Sequence, residues 1–185
     1  MVVITGAGGF IGSVLAARLN EAGRSDLVIV DRFGTGDKWR NIAKRDFFEI
    51  VPVDGLFAWL DRFGDTVEVV FHLGAISSTT VNDADAVIAN NLNYSIALWR
   101  WCAVAGRPMI YASSAATYGD GSAGFDDAGG IEDLKRLRPL NLMAGQSTPS
   151  ICGRRVKRRR DARHRYGSDS NFSMSSDPTN TTRAI

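Results

Sequence analysis

The feature that most restricts the fold of this sequence is a glycine-rich run, TGAGGFIG, at residues 5–12. An apolar stretch precedes the run, and apolar side chains recur after it at helical spacing as far as Leu19. Glycines at a strand-to-helix junction permit a tight turn and let the backbone approach a pyrophosphate closely. The run therefore predicts a dinucleotide-binding turn, with Gly6, Gly9 and Gly12 among its ligand-contacting residues.

Short β-branched stretches alternate with helical stretches over residues 1–112, a pattern typical of βαβ units around a parallel sheet. The strand candidates are Val2–Thr5, Leu27–Asp31, Phe47–Val51, Val67–His72 and Pro108–Ala112. The helix candidates begin at Phe10, Asp54 and Asp83; the second ends at Phe63, the third at Ala105, and Gly23 stops the first. We predict an α/β fold, a Rossmann-type doubly wound parallel sheet that is truncated, within an incomplete domain at residues 1–142.

Charged residues after the second strand candidate bear on which cofactor the turn would hold. Asp31 lies 19 residues beyond Gly12, where a carboxylate would accept hydrogen bonds from an adenosine ribose. It favours NAD, because it would repel a 2′-phosphate. Arg32 and Lys38 stand nearby and could pair with that phosphate, so both NAD and NADP stay open.

Composition bounds the setting in which such a domain would work. A length of 185 residues suits one domain. The two cysteines form neither a disulfide framework nor a metal-binding spacing, which is typical of a reducing cytoplasm. The first residues lack the basic region of a signal peptide, and no apolar stretch approaches membrane-spanning length. We expect a cytoplasmic protein that binds no metal, and we leave oligomer formation open.

The pattern of strands and helices stops near residue 142. Residues 143–185 carry nine Lys/Arg against three Asp/Glu, which leaves 13 basic and 17 acidic residues in the rest of the chain. The tail is polar and has no sustained helical or strand period, so we predict that it is disordered. Its basic run at residues 154–160 could bind nucleic acid, but no aromatic residues interleave it, and we prefer the interpretation that it has no function.

Three further segments make a resemblance specific. They are FHLGA at residues 71–75, SSTT at residues 77–80 and YASSAATYG at residues 111–119. With the glycine-rich turn, residues 1–142 resemble the extended short-chain dehydrogenases, which include the NAD-dependent epimerases and dehydratases. The SSTT run, Asn90-Asn91 and the serine-rich run after the fifth strand are most similar to the branch that acts on ADP-heptose in lipopolysaccharide heptose synthesis.

The resemblance implies a role for each matching residue. Phe10 and Ile11 would lie at the pyrophosphate, and Asp31 and Arg32 at the adenosine end. Ser114 would hydrogen-bond the reacting sugar hydroxyl or carbonyl, with Thr117 near it. The remaining residues implied to line the cofactor are Leu73, Gly74, Ala75, Ser77 and Asn90.

The same resemblance exposes a missing pair of residues. Members of the family move a proton with a Tyr whose phenol is acidified by a Lys one helical turn later, and no Tyr-x-x-x-Lys occurs anywhere in this sequence. One nucleotide restored before the Met143 codon would permit Tyr-Gly-x-x-Lys at the expected position, with the Gly forced by the genetic code. We therefore interpret residues 143–185 as out of frame, whether naturally or through sequencing.

The sequence leads to one principal hypothesis and two rivals. The principal one is an NAD(P)-dependent nucleotide-sugar epimerase, with ADP-heptose as the suspected substrate, in a truncated and inactive form. The first rival is a cofactor-binding module without catalytic activity. The second, which the basic run favours only weakly, is a nucleic-acid-binding protein.

Overall fold

A computed structural model describes residues 1–77, 83–122 and 124–125, except for the side chains of Ala116 and Thr117. Five parallel strands form one sheet in the order β3-β2-β1-β4-β5. The strands are β1 (Val2–Thr5), β2 (Leu27–Val30), β3 (Glu49–Val51), β4 (Val69–His72) and β5 (Met109–Tyr111). The α/β, Rossmann-type parallel sheet predicted from the sequence is confirmed.

The sheet is buried on both faces, which explains why its strands read as continuous apolar runs. Successive side chains point to opposite faces. Val3 and Val28 therefore belong to the core beneath α2 (Leu56–Phe63) and α4 (Tyr94–Ala105). Val2 and Ile4 pack on the other face, against α1 (Phe10–Glu21). Helices on both faces make the sheet doubly wound.

The helix predicted at Asp83–Ala105 is a composite of three segments, which corrects the prediction of one regular helix. It consists of α3 (Ala84–Val87), a π-helical turn (Ile88–Asn93) and α4. The Asp83 side chain caps its start by accepting a hydrogen bond from the Ala86 N–H at 2.9 Å. π-turns insert an extra residue into a helix and often lie at functional sites, and this one carries Asn90 and Asn91.

The other element boundaries differ from prediction by a few residues. Asp54 belongs to a 3₁₀ turn (Val53–Gly55), and α2 begins after it. β3 is shorter than predicted because it pairs with β2 only over Glu49–Val51. A 3₁₀ helix at Asp37–Asn41 was not predicted. Residues 126–185 lie outside the described residues, so the domain boundary at residue 142 and the disordered tail stay predictions.

Candidate functional site

The order of the strands creates a crevice at one edge of the sheet. β1 lies in the middle of the sheet. β2 and β3 lie on one side of it, and β4 and β5 lie on the other. The loops after β1 and β4 therefore leave in opposite directions, and ligands of open parallel sheets bind at this point beyond the carboxyl ends of the strands. A cleft of about 580 Å³ lies there.

The structure brings every residue predicted to bind cofactor into this one cleft. They come from the glycine-rich turn, the end of β2, the loop after β4 and the π-turn, so they are distant in sequence. The lining includes Gly6, Gly9, Phe10, Ile11, Gly12, Asp31, Arg32, Lys38, Leu73, Gly74, Ala75, Ser77 and Asn90. Their contacts with a cofactor remain predictions.

Five lining residues escaped the sequence analysis: Thr5, Val53, His72, Ile76 and Tyr94. Thr5 and Ile76 adjoin predicted site residues, so their position in the chain was an available signal. Val53 and Tyr94 belong to segments that reach the cleft only through tertiary packing, and nothing in their local sequence distinguishes them. His72 ends the fourth strand candidate and is 2% exposed.

Two glycines permit the close approach of backbone segments at the turn. Gly6 has φ +71°, and a Cβ built there would lie 2.6 Å from the backbone nitrogen of Gly74. A Cβ at Gly12 would overlap the carbonyl oxygen of Gly6. Any side chain at either position would push apart β1, the loop after β4 or the start of α1. The turn is therefore a cradle of backbone atoms that only glycine can form.

The cradle opens on the N-terminus of α1, where a phosphate would be stabilised. Gly9 caps the helix without a side-chain hydrogen bond, and its first turn contains no acidic residue. The N–H groups and dipole at the start of a helix attract anions, and no carboxylate competes here within the first turn. Phe10 is 85% exposed and Ile11 58% exposed at this end of the helix. The start of α1 is therefore open to solvent and suited to a pyrophosphate in the cleft.

Asp31 is nearly buried and holds the turn through its carboxylate. Its Oδ2 accepts a hydrogen bond from the Gly8 N–H at 2.7 Å, and its Oδ1 accepts one from the Arg32 N–H at 2.7 Å. The ammonium of Lys38 lies 2.5 Å from the same Oδ1. The carboxylate therefore orients the turn, and Lys38 partly offsets the repulsion that it would exert on a 2′-phosphate.

Arg32 connects the end of the cleft next to β2 with the π-turn. Its guanidinium donates to Asn90 Oδ1 at 3.0 Å and to Asp54 Oδ1 at 2.7 Å. Asn90 in turn donates to Asn91 Oδ1 at 3.0 Å. Because Arg32 and Lys38 both pair with carboxylates, a 2′-phosphate would have to replace existing partners. The choice between NAD and NADP stays open.

A second cavity, of about 210 Å³, adjoins the cleft at the end of β5. It shares Leu73, Gly74 and Ser77 with the cleft, and Ser114 lines it. Ser114 thus shares this cavity with four of the predicted cofactor residues, and its contact with substrate remains a prediction. The 3₁₀ turn at Ala115–Tyr118 contains Thr117, whose side chain lies outside the described residues.

His72 ends β4 between the two cavities, and its ring is hydrogen-bonded on both sides. Nδ1 lies 2.6 Å from Thr5 Oγ1, and Nε2 lies 2.7 Å from Ser95 Oγ. The rings of Tyr94 and Tyr111 flank the imidazole, with centroids 6.0 and 5.8 Å from its own. Burial lowers the pKa of His72 to about 4, and burial likewise raises the pKa of the Tyr94 phenol above its usual range. The imidazole is therefore neutral at physiological pH.

Acid is expected to destabilise the fold through His72. The unfolded chain binds a proton at its ordinary pKa of 6.5 but the folded chain only near 4, so stability present above pH 6.5 is lost as the pH falls between these values. The loss amounts to about 3 kcal/mol. Chemical denaturation from pH 7 to 4 measures it, and His72→Gln should flatten the dependence. An equal slope in the variant would show that other groups cause it.

The part of the chain that the structure describes contains no cluster of His, Cys, Asp and Glu side chains suited to a metal ion. None of its helices has both the length and the apolar character needed to cross a membrane.

Comparison with known proteins shows the family to which the chain belongs. The family model "NAD dependent epimerase/dehydratase family" matches residues 2–141. An ADP-L-glycero-D-manno-heptose-6-epimerase of Fusobacterium nucleatum is 45% identical over 143 residues, which are 76% of this chain and 43% of that protein. The chain therefore spans less than half the length of this curated relative.

Solved structures of epimerases have a fold similar to that of this chain. The ADP-L-glycero-D-manno-heptose-6-epimerase of Helicobacter pylori superposes with a TM-score of 0.65 at 25% identity, over 80% of this chain and 48% of that one. A UDP-glucuronic acid 4-epimerase of Bacillus cereus in complex with NAD gives a TM-score of 0.65 at 24% identity, over 85% of this chain and 51% of that one, and shows the shared fold. The chain accordingly belongs to the NAD-dependent epimerase/dehydratase family.

Proposed function

We propose that this chain contains the cofactor-binding part of an NAD(P)-dependent nucleotide-sugar epimerase that acts on ADP-glyceromanno-heptose. The observation that carries the proposal is that all the cofactor-binding candidates line one cleft, at the place where the loops after β1 and β4 leave the sheet in opposite directions. The substrate rests on the relatives, which are named as heptose epimerases and match this chain at 41–45% identity.

Each wall of the cleft has a different part in the proposal. Asp31 would accept hydrogen bonds from the adenosine ribose, with Arg32 and Lys38 beside it. The glycine-rich turn and the start of α1 would hold the pyrophosphate. Leu73, Gly74, Ala75 and Ser77 would border the nicotinamide half, with Asn90 approaching from the π-turn. This order follows the cleft from the end of β2 to the end of β4.

The chemistry also needs groups at the sugar. When bound, the cofactor would supply a reversible hydride acceptor. Ser114 would hydrogen-bond the sugar hydroxyl from the adjoining cavity, with Thr117 near it. A serine hydroxyl is too weak a base to remove a proton near neutral pH without help. The sequence contains no Tyr-x-x-x-Lys pair to provide that help.

The missing pair supports a second candidate function, a cofactor-binding module without turnover. Both candidates require the cleft to bind NAD or NADP, and they differ in whether sugar is converted once the reading frame before codon 143 is restored. Titration with each dinucleotide tests their common part, and an epimerase assay with ADP-heptose separates them.

We include a cytoplasmic location in the proposal, which the buried free thiol of Cys102 supports, and leave oligomer formation open.

Replacing Asp31 with alanine should weaken NAD binding about 10- to 100-fold. Hydrogen bonds to a charged group contribute about 1.5–3 kcal/mol, and the variant would lose those to the ribose. NADP should lose less affinity, because the change also removes a charge that repels the 2′-phosphate. Calorimetric titration of both dinucleotides measures the two effects.

Two further variants separate ribose binding from the structural role of Asp31. Asp31→Asn retains an acceptor for the Gly8 N–H but not the charge paired with Lys38. Asp26→Ala removes a comparable carboxylate, paired with Arg24, that does not line the cleft. Asp26→Ala should leave both affinities unchanged. If Asp31→Ala bound NAD as tightly as the unmodified chain, Asp31 would not belong to the ribose site.

A further inference from the structure

His72 belongs to a chain of hydrogen bonds that runs from β1 through β4 to α4. Thr5 lies on one side of its ring and Ser95 on the other, at 2.6 and 2.7 Å. The imidazole is almost fully buried, yet it borders both the cleft and the adjoining cavity. The proposed function gives this residue no task, although a polar side chain in a sheet core requires an explanation.

The hydrogen bonds at the two ends of this series determine which nitrogen of the imidazole carries the hydrogen. Ser95 donates its single hydroxyl hydrogen to the carbonyl of Asn91 at 2.6 Å, so its oxygen must accept a hydrogen from His72 Nε2. Nδ1 of the neutral ring then has no hydrogen and accepts one from the Thr5 hydroxyl. The Thr5 oxygen accepts in turn from the Gly74 N–H at 3.2 Å. The Nε2–H tautomer satisfies every bond.

Both ends of this series of hydrogen bonds hold the loop at residues 73–77, which forms one wall of the cleft. At one end, Thr5 holds the Gly74 N–H. At the other, Asn91 belongs to the π-turn and binds the backbone of Ile76 twice. Its Oδ1 accepts from the Ile76 N–H at 2.8 Å, and its Nδ2 donates to the Ile76 carbonyl at 3.0 Å. The loop is thus attached at two points, and His72 links them.

We propose that His72 is a positioning residue for the cofactor: as the neutral Nε2–H tautomer, it holds the loop at residues 73–77 in the shape that binds the dinucleotide. It acts through Thr5 and Ser95, without contact with the reacting atoms. The inference rests on the proposed cofactor site, and it adds a residue to which that proposal gives no role. Burial from water keeps the ring neutral and so preserves the direction of the bonds.

Nitrogen-15 NMR of the imidazole tests the tautomer directly in the full chain. The sequence has two histidines, so a His164→Gln variant leaves the signals of His72 alone. At pH 7 we expect Nε2 to carry the hydrogen and Nδ1 to carry none. A hydrogen on Nδ1, with or without one on Nε2, would overturn the proposal.

Two variants and a matched control test the consequence for the loop. His72→Phe keeps a ring but removes both bonds of the imidazole. Ser95→Ala keeps the bond from the imidazole to Thr5 and removes the two bonds of the Ser95 hydroxyl, to His72 Nε2 and to the Asn91 carbonyl, at a residue outside the main cleft. Val70→Ala opens space in the same strand, where Val70 is fully buried, without touching the chain of bonds. Amide exchange of Gly74 and Ile76 should accelerate in the first two variants only. Their affinity for NADH should fall by up to about tenfold, more for His72→Phe.

The outcomes separate this inference from the function on which it rests. Failure of the unmodified chain to bind NADH or NADPH would overturn the proposed function. Tight binding that neither His72→Phe nor Ser95→Ala alters, relative to Val70→Ala, would overturn the role of His72 alone. If His72→Phe does not fold, Ser95→Ala decides, because it leaves the imidazole in place and removes its partner on α4.

Discussion

Replacing Gly6 with alanine is expected to destabilise the fold by about 2–5 kcal/mol, a large share of the stability of a small domain. Two costs add. The backbone of Gly6 has φ +71°, where an L side chain is strained, and a new Cβ would lie 2.6 Å from the Gly74 nitrogen. That nitrogen belongs to backbone that both the sheet and Thr5 hold, so it has little freedom to move. Equilibrium denaturation measures the change.

Gly23→Ala is the matched control for the first of these costs. Gly23 has φ +80°, but nothing lies within 4 Å of a Cβ built there. It should therefore lose only the conformational contribution, about 1–2 kcal/mol. The difference between the variants isolates the close approach of the loop after β4. Equal losses in both would mean that the loop yields readily, and the cradle would then not depend on Gly6.

Purified protein of this sequence is expected to show essentially no epimerase turnover, at least 10²–10⁴-fold below a chain with the reading frame restored before codon 143. The factor is that of positioned acid–base catalysis, which the family assigns to Tyr-x-x-x-Lys and this sequence lacks. Substrate positioning by the restored residues would widen the difference. The assay supplies ADP-heptose and NAD or NADP and follows inversion at the sugar.

Two controls make this result interpretable. The restored chain with its regenerated tyrosine replaced by phenylalanine should lose turnover while still binding cofactor, which separates acid–base chemistry from folding. Cofactor binding by the unrestored chain should be measured in parallel, because binding without turnover shows that the cleft has formed and that only the acid–base chemistry is missing. Turnover near that of the restored chain would show that another group moves the proton, and the roles given to Ser114 and Thr117 would then be wrong.

Local sequence was enough to predict much of the fold. β1 was predicted with its observed bounds, and the start of α1 at Phe10 was predicted correctly. Both depend on neighbours in the chain, namely an apolar run followed by glycines. The π-turn at Ile88–Asn93 was not predicted. Its apolar spacing is that of an ordinary helix, whereas its Asn91 side chain bonds to the backbone of Ile76 in the loop after β4.

The sequence by itself determined the class of fold, the family resemblance and most of the residues that gather at the cleft, because strand alternation and the glycine-rich turn are properties of neighbouring residues. Only the tertiary structure decided how those residues are joined. Asp31 is already engaged by Gly8, Arg32 and Lys38. His72 links Thr5 to Ser95, residues far from it along the chain. Hydrogen bonds depend on distances within a few tenths of an ångström, and those distances arise only when the packed sheet brings remote segments together.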